Sequence, residues 1–222
     1  MTTVLFVLFP HVTQLDLTGP AQFLSRLPGA TTVTAARSLE PVATDCGFSL
    51  IPAVRFADAP QADILCIPGG HGVAEAVNDP AMIEFVKRQA AGAKWITSVC
   101  TGAFVLGRAG LLEGKRATTH WAYTHLLPLV GAVHEDARVV EDGNTITAGG
   151  VTSGIDFALT LLAREAGQTV AEAVQLSLEY DPAPPFAGGT PATAGPERTA
   201  RLRTSFYDAA AARMAAALTP GQ

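Results

Sequence analysis

The chain has 222 residues, 48% of them hydrophobic and 16% charged, with a formal net charge of -5. That is enough chain and apolar surface for one large domain or two small ones, and it argues against disorder. No basic cluster is present to track a phosphate backbone, so no nucleic-acid partner is expected. No uncharged apolar stretch reaches membrane-spanning length, so no membrane partner is expected either.

Residues 4–9 form an apolar run that reads as a first strand. No basic region precedes it, so it does not read as a signal peptide. Gly19-Pro20 is read as opening a short helix that runs to Leu27 and closes at Pro28-Gly29. Residues 31–35 and 48–51 read as strands. Ile64–Ile67 is a buried strand ending at Pro68-Gly69-Gly70-His71-Gly72. A helix is expected over 73–91, interrupted near Asp79-Pro80, and Trp95–Val99 is the next strand. Residues 138–141 and 144–147, joined through Asp142-Gly143, read as a hairpin. Ser153 and Asp156 have capping-box spacing before the apolar run 157–163, and a further helix follows over 168–178. Residues 181–195, rich in Pro, Gly, Thr and Ala, read as an arm. The helix-forming stretch 197–218 follows it, able to dock on the core or on a second subunit. The domain reading is one domain over 1–222, with 181–222 a Pro/Gly-rich arm and C-terminal helix.

Apolar strands alternating with helices predict an α/β fold with a largely parallel sheet covered on both faces. Sites in such folds lie at the carboxyl ends of the strands. The most informative stretch falls at such an end: Trp95-Ile96-Thr97-Ser98-Val99-Cys100-Thr101-Gly102-Ala103. A β-prone run stops at Cys100 and helical spacing follows. Ser98 and Gly102, two residues to either side, are small enough for a sharp strand-to-helix turn. A cysteine there sits at a helix N-terminus, whose dipole favours the thiolate. The plainer reading is a small buried cysteine ending a core strand.

Of the other cysteines, Cys66 reads as structural and Cys46 is given no role. The odd count and wide spacing support neither zinc nor a disulfide framework. Free thiols point to a reducing compartment, the cytoplasm. Asp16, between Leu15 and Leu17 just beyond the first strand, reads as an acid/base sharing a proton with Cys100, or as a helix cap. The N–H groups of Gly69 and Gly70 are candidates for binding developing negative charge. His71 reads as a surface residue. His120 is open to three readings: a general base for Cys100, a helix-start residue or a pocket wall.

Five motifs together resemble the DJ-1/PfpI superfamily. They are Leu15-Asp16-Leu17-Thr18-Gly19-Pro20, Ile67-Pro68-Gly69-Gly70, Ser98 to Ala103, Ala117-Thr118-Thr119-His120-Trp121, and Gly149-Gly150-Val151-Thr152-Ser153-Gly154-Ile155-Asp156. Asp16 with Cys100-Thr101, and the arm at 180–185, resemble most the isonitrile (isocyanide) hydratase branch. The peptidase branch has histidine directly after the cysteine, where this chain has Thr101. The resemblance implies a flavodoxin-like three-layer sandwich, a homodimer and no cofactor. It implies Cys100 as nucleophile, Asp16 as general acid/base and Thr101 as a hydroxyl partner. Gly69, Gly70 and His120 would bind substrate. The reaction it implies is hydration of a small-molecule isonitrile to an N-substituted formamide through a Cys100 thioimidate. Two other readings are a glyoxalase- or deglycase-like enzyme acting on small aldehydes, and a non-enzymatic ligand- or redox-sensing protein. Regulators in this superfamily carry a helix-turn-helix module after the sensor. Here only one terminal helix is expected, which disfavours direct DNA binding.

Overall fold

The computed structural model describes residues 1–219; residues 220–222, the end of the expected arm, lie outside the described residues. The strands are β1 (Thr2–Val7), β2 (Ala30–Ala36), β3 (Val42–Ala43), β4 (Ser49–Leu50), β5 (Val54–Arg55), β6 (Ile64–Ile67), β7 (Trp95–Val99), β8 (Arg116–Ala117), β9 (Val133–His134), β10 (Val139–Asp142) and β11 (Thr145–Ala148). The helices are α1 (Gln14–Leu24), α2 (Val73–Ala76), α3 (Pro80–Gly92), α4 (Ala103–Arg108), α5 (Ser153–Ala166), α6 (Gln168–Ser177), α7 (Pro191–Ala194), α8 (Pro196–Leu202) and α9 (Asp208–Leu218).

Seven strands form the central sheet in the order β10-β11-β7-β6-β1-β2-β5, parallel except for β10. Leaving out the edge strands β5 and β10, this is the flavodoxin-like order, with its switch point between β1 and β6. Every residue of β6 is buried, as are residues 96–99 of β7 and the last four of β1. Strands in a parallel sheet have both faces covered, so they read as continuous apolar runs. One core extends from Val4 to Leu218 and takes in Ala211 and Met214 of α9.

Two local expectations fail for identifiable reasons. The first helix starts at Gln14, not at Gly19, and Pro20 lies inside it. The ring removes the N–H that would have bonded to the Asp16 carbonyl. The helix persists because its inner face is buried by packing on α5, where Gly19 faces Ile155 and Gly154 faces Pro20. Asp16 therefore sits in the first turn of α1. At α5 the capping box does not form: Ser153 Oγ is buried without a partner. Asp156 instead pairs with Arg138 and accepts from the Tyr180 hydroxyl at 2.8 Å. The hairpin β10–β11 and the break between α2 and α3 at Asp79 fall where expected.

The turn between β7 and α4 depends on one close approach. A Cβ on Gly102 would run into the Ile67 carbonyl oxygen and lie 2.7 Å from that of Pro68. Both are rigid backbone atoms at the end of β6. Gly102→Ala is expected to destabilise the fold by about 1–3 kcal/mol, read as a lower urea midpoint with unchanged slope. A midpoint equal to wild type would show that the two backbones are not tightly opposed.

Candidate active site

Cys100 has φ +57°, a left-handed conformation that side chains other than glycine rarely adopt. Its own backbone is tied at both ends. The Cys100 N–H donates to Gly149 O at 2.8 Å, and the Thr119 hydroxyl donates to Cys100 O at 2.7 Å. A strand-to-helix turn held this way aims the thiol away from the sheet into a cavity of about 240 Å³. Thr13, Asp45, Gly70, His71, Cys100, Thr101, His120, Tyr123, Val151, Phe206 and Tyr207 line that cavity.

The Asp16 carboxylate is 1% exposed and lies outside the cavity wall, under the Gly69–Gly70 turn. Its Oδ2 accepts from Gly69 N–H at 2.8 Å, while Oδ1 has no hydrogen-bond partner. Burial raises its pKa to about 7. The Gly69 bond opposes that rise, and the charge of Asp45 adds to it. Burial also pushes the Cys100 thiol well above its usual value, and the Asp16 charge pushes the same way. Hydrogen bonding from the backbone and hydroxyl of Thr101 pulls it down. This corrects the expectation of a helix-stabilised thiolate: at 6% exposure, desolvation outweighs the helix terminus. The resting thiol keeps its proton, and the two acids titrate as a pair.

The glycine turn serves these two side chains. Gly69 N–H is taken by Asp16 and Gly70 N–H by Thr101 Oγ1 at 3.0 Å, so neither donor is free for substrate. A Cβ on Gly69 would lie 2.6 Å from Thr101 N, 2.7 Å from Thr101 Oγ1 and 2.8 Å from Asp16 Oδ2. Asp16, Thr101 and Gly69 therefore meet at one point. Gly70, Thr101 and His120 line the cavity and Gly69 lies beneath it. His71 is exposed at the cavity mouth.

His120 is a wall. Its Nδ1 accepts from Ala122 N–H at 3.3 Å, and burial lowers its pKa to about 4. A base that weak accepts a thiol proton poorly, which weighs against the general-base reading. Its ring packs 5.0 Å from Tyr207 and 5.8 Å from Tyr123. Sequence reasoning missed Tyr123, Phe206, Tyr207 and the Thr119 clamp. Thr119 lies in a quoted motif, but nothing in its spacing marks it as a bond to Cys100. Cys66 is fully buried with its pKa raised to about 12, an inert core thiol. Among the described residues no cluster of histidine, cysteine or carboxylate side chains is arranged to hold a metal, and no helix is long and apolar enough to cross a membrane.

The sign of the Asp16 shift fixes a stability prediction. A carboxyl held at about 7 in the folded state, against 3.8 for an unperturbed aspartate, binds more protons folded than unfolded. Stability falls as pH rises between those values and is level above about 7. Asp16→Asn keeps an acceptor for Gly69 N–H without a charge. Relative to the variant, wild type is expected to lose on the order of 4 kcal/mol from pH 4 to pH 7.5 in urea titrations. Parallel pH–stability curves would show that the buried carboxyl is not perturbed.

Residues 2–164 match the DJ-1/PfpI family. The "Isonitrile hydratase" of Pseudomonas putida is 49% identical over 219 residues, covering 94% of this chain and 96% of that one. A THiJ/PfpI family protein from Pseudomonas syringae superposes with a TM-score of 0.92 at 38% identity, over 99% of this chain and 91% of its own. The "HTH-type transcriptional regulator GbdR" of Pseudomonas aeruginosa is 30% identical over 139 residues, 61% of this chain but only 37% of the regulator. With its family match, its flavodoxin-like sheet and a strained cysteine between β7 and α4, this chain belongs to the DJ-1/PfpI family.

Proposed function

We propose that the protein hydrates isonitriles, R–N≡C, to N-substituted formamides, with Cys100 as nucleophile and Asp16 as general acid/base. One observation carries the reading. A thiol raised by burial lines a small cavity, and its neighbour just behind the wall, under the Gly69–Gly70 turn, is a buried carboxyl with a pKa of about 7. At neutral pH such a pair holds one mobile proton, which suits a substrate carbon that takes up both a nucleophile and a proton. The full-length similarity to a Pseudomonas putida protein named "Isonitrile hydratase" supports the same reaction.

In the first half-reaction the Cys100 S–H proton passes to the Asp16 carboxylate and the sulfur bonds to the terminal carbon. Asp16 returns that proton to the same carbon, giving R–N=CH–S–Cys100. Thr101 Oγ1 lies both at the Asp16–Gly69 corner and in the cavity wall, a place from which its hydroxyl can relay the proton. In the second half-reaction water adds to the carbon. Its proton goes through Asp16 to the nitrogen, the C–S bond breaks, and the hydroxyl proton restores the thiol. The product is R–NH–CHO. Atoms and electrons balance without a redox step, so the reaction calls for no nicotinamide, flavin or metal. The proton transfers supply roughly 10²–10⁴-fold of the rate. The exposed Leu176 and the arm residue Phe186, 83% exposed, support the homodimer implied by the resemblance. A monomer at micromolar concentration in sedimentation velocity would exclude that assembly.

The test is turnover by purified protein. A simple isonitrile is expected to give its formamide, with little turnover of methylglyoxal; the reverse preference would favour the aldehyde reading. Cys100→Ala is expected to abolish hydration, Asp16→Asn to reduce it about 10²-fold or more, and Cys46→Ser to retain most activity. Below pH 7 a second proton occupies Asp16, so kcat/KM is expected to rise with pH through about 7. It is expected to fall again where Cys100 itself ionises. A rate that is flat between pH 5 and 8 would count against Asp16 as the group that receives the thiol proton.

A further inference from the structure

The residues matching the family end at 164, yet two walls of the cavity come from beyond that point. Residues Arg203–Tyr207 form a π-helical turn between α8 and α9, and there the consecutive aromatics Phe206 and Tyr207 both reach the cavity. Successive residues of an α-helix point about 100° apart, and π turns of this kind often occur at functional sites. The Tyr207 ring stands 5.2 Å from Trp121, 5.0 Å from His120 and 6.2 Å from Tyr123, inclined at 72°, 38° and 84°. Arg203 caps the same group, with its guanidinium 5.4 Å from the Trp121 ring. Phe206 lies at the mouth, 68% exposed.

We propose that this turn is the specificity element of the site, and that Phe206 and Tyr207 select isonitriles whose nitrogen carries a compact, flat, apolar group. The proposal rests on the reaction assigned above and names its substrate class. Three observations carry it. The walls around the reacting sulfur are rings set edge-to-face and tilted, a geometry that suits one more ring. The space of about 240 Å³ lies below the usual range for ligand pockets, which limits the group to about one ring. Among the described residues no lysine or arginine lines the cavity, while Asp45 does, so an anionic substituent has no partner and meets a like charge. The catalytic corner belongs to the part of the chain that matches the family, and the selecting wall is contributed by the segment after it.

The experiment compares kcat/KM for phenyl isonitrile with that for methyl isonitrile in wild type, Tyr207→Ala, Tyr207→Phe, Phe206→Ala and Phe186→Ala. Wild type is expected to prefer the phenyl substrate. Tyr207→Ala is expected to lower the phenyl-to-methyl ratio roughly tenfold, and Phe206→Ala several-fold. Tyr207→Phe, which keeps the ring, and Phe186→Ala, which alters the arm outside the cavity, are expected to leave the ratio within about twofold. An equal loss on both substrates in Tyr207→Ala would assign Tyr207 a structural role and overturn the proposal, as would an unchanged ratio. Calorimetric binding of formanilide against N-methylformamide separates this proposal from the reaction reading. If wild type turns over neither isonitrile, a formanilide preference lost in Tyr207→Ala still upholds the aromatic wall, and no preference in wild type overturns it.

Discussion

A carboxylate without water must find hydrogen-bond donors or take up a proton, and the site depends on how Asp16 resolves that conflict. The structure supplies one donor, Gly69 N–H, to one oxygen and leaves the other unpartnered. One bond offsets only part of the desolvation, so the carboxyl stays poised near neutrality. More donors would hold it as a permanent anion, and none would hold it as a permanent acid. The turn that gives this bond admits no side chain at Gly69, because Asp16 and Thr101 occupy the space from two sides. Glycine there, the first turn of α1 and the strained cysteine are parts of one constraint.

The sheet explains why these parts meet. β1, β6 and β7 are adjacent and parallel, so their carboxyl ends deliver Asp16, the Pro68–Gly70 turn and Cys100 to the same edge. The order reverses between β1 and β6, and the divergence of the connections there opens a crevice. Strain at Cys100 is sustained by neighbours from two further segments, Gly149 and Thr119. No local stretch of sequence could hold that conformation alone, and it costs about 1–2 kcal/mol.

Much of this was legible in the chain. The apolar strands and the small residues around Cys100 marked the parallel sheet and the turn, because burial on both faces and close backbone approach leave direct compositional traces. Other features were illegible for physical reasons. Pro20 is a helix starter by local rule, and only packing against α5 explains a helix that begins six residues earlier. The Gly69 and Gly70 N–H groups looked free because a sequence does not show that Asp16 and Thr101 take them. The thiolate expectation followed the helix dipole, a local term, whereas desolvation depends on the whole surroundings of Cys100. Phe206 and Tyr207 reach the site through an irregular turn that no periodicity marks.

The account stands on sulfur forming a bond to substrate carbon while Asp16 manages the proton. Rapid-quench mass spectrometry of the enzyme mixed with an isonitrile tests that bond directly. The account predicts a transient mass increase equal to one intact substrate, located on the peptide that carries Cys100 and absent in Cys100→Ala. Turnover with no such adduct, in wild type or in any variant slowed in the second half-reaction, would contradict it and leave direct attack by water.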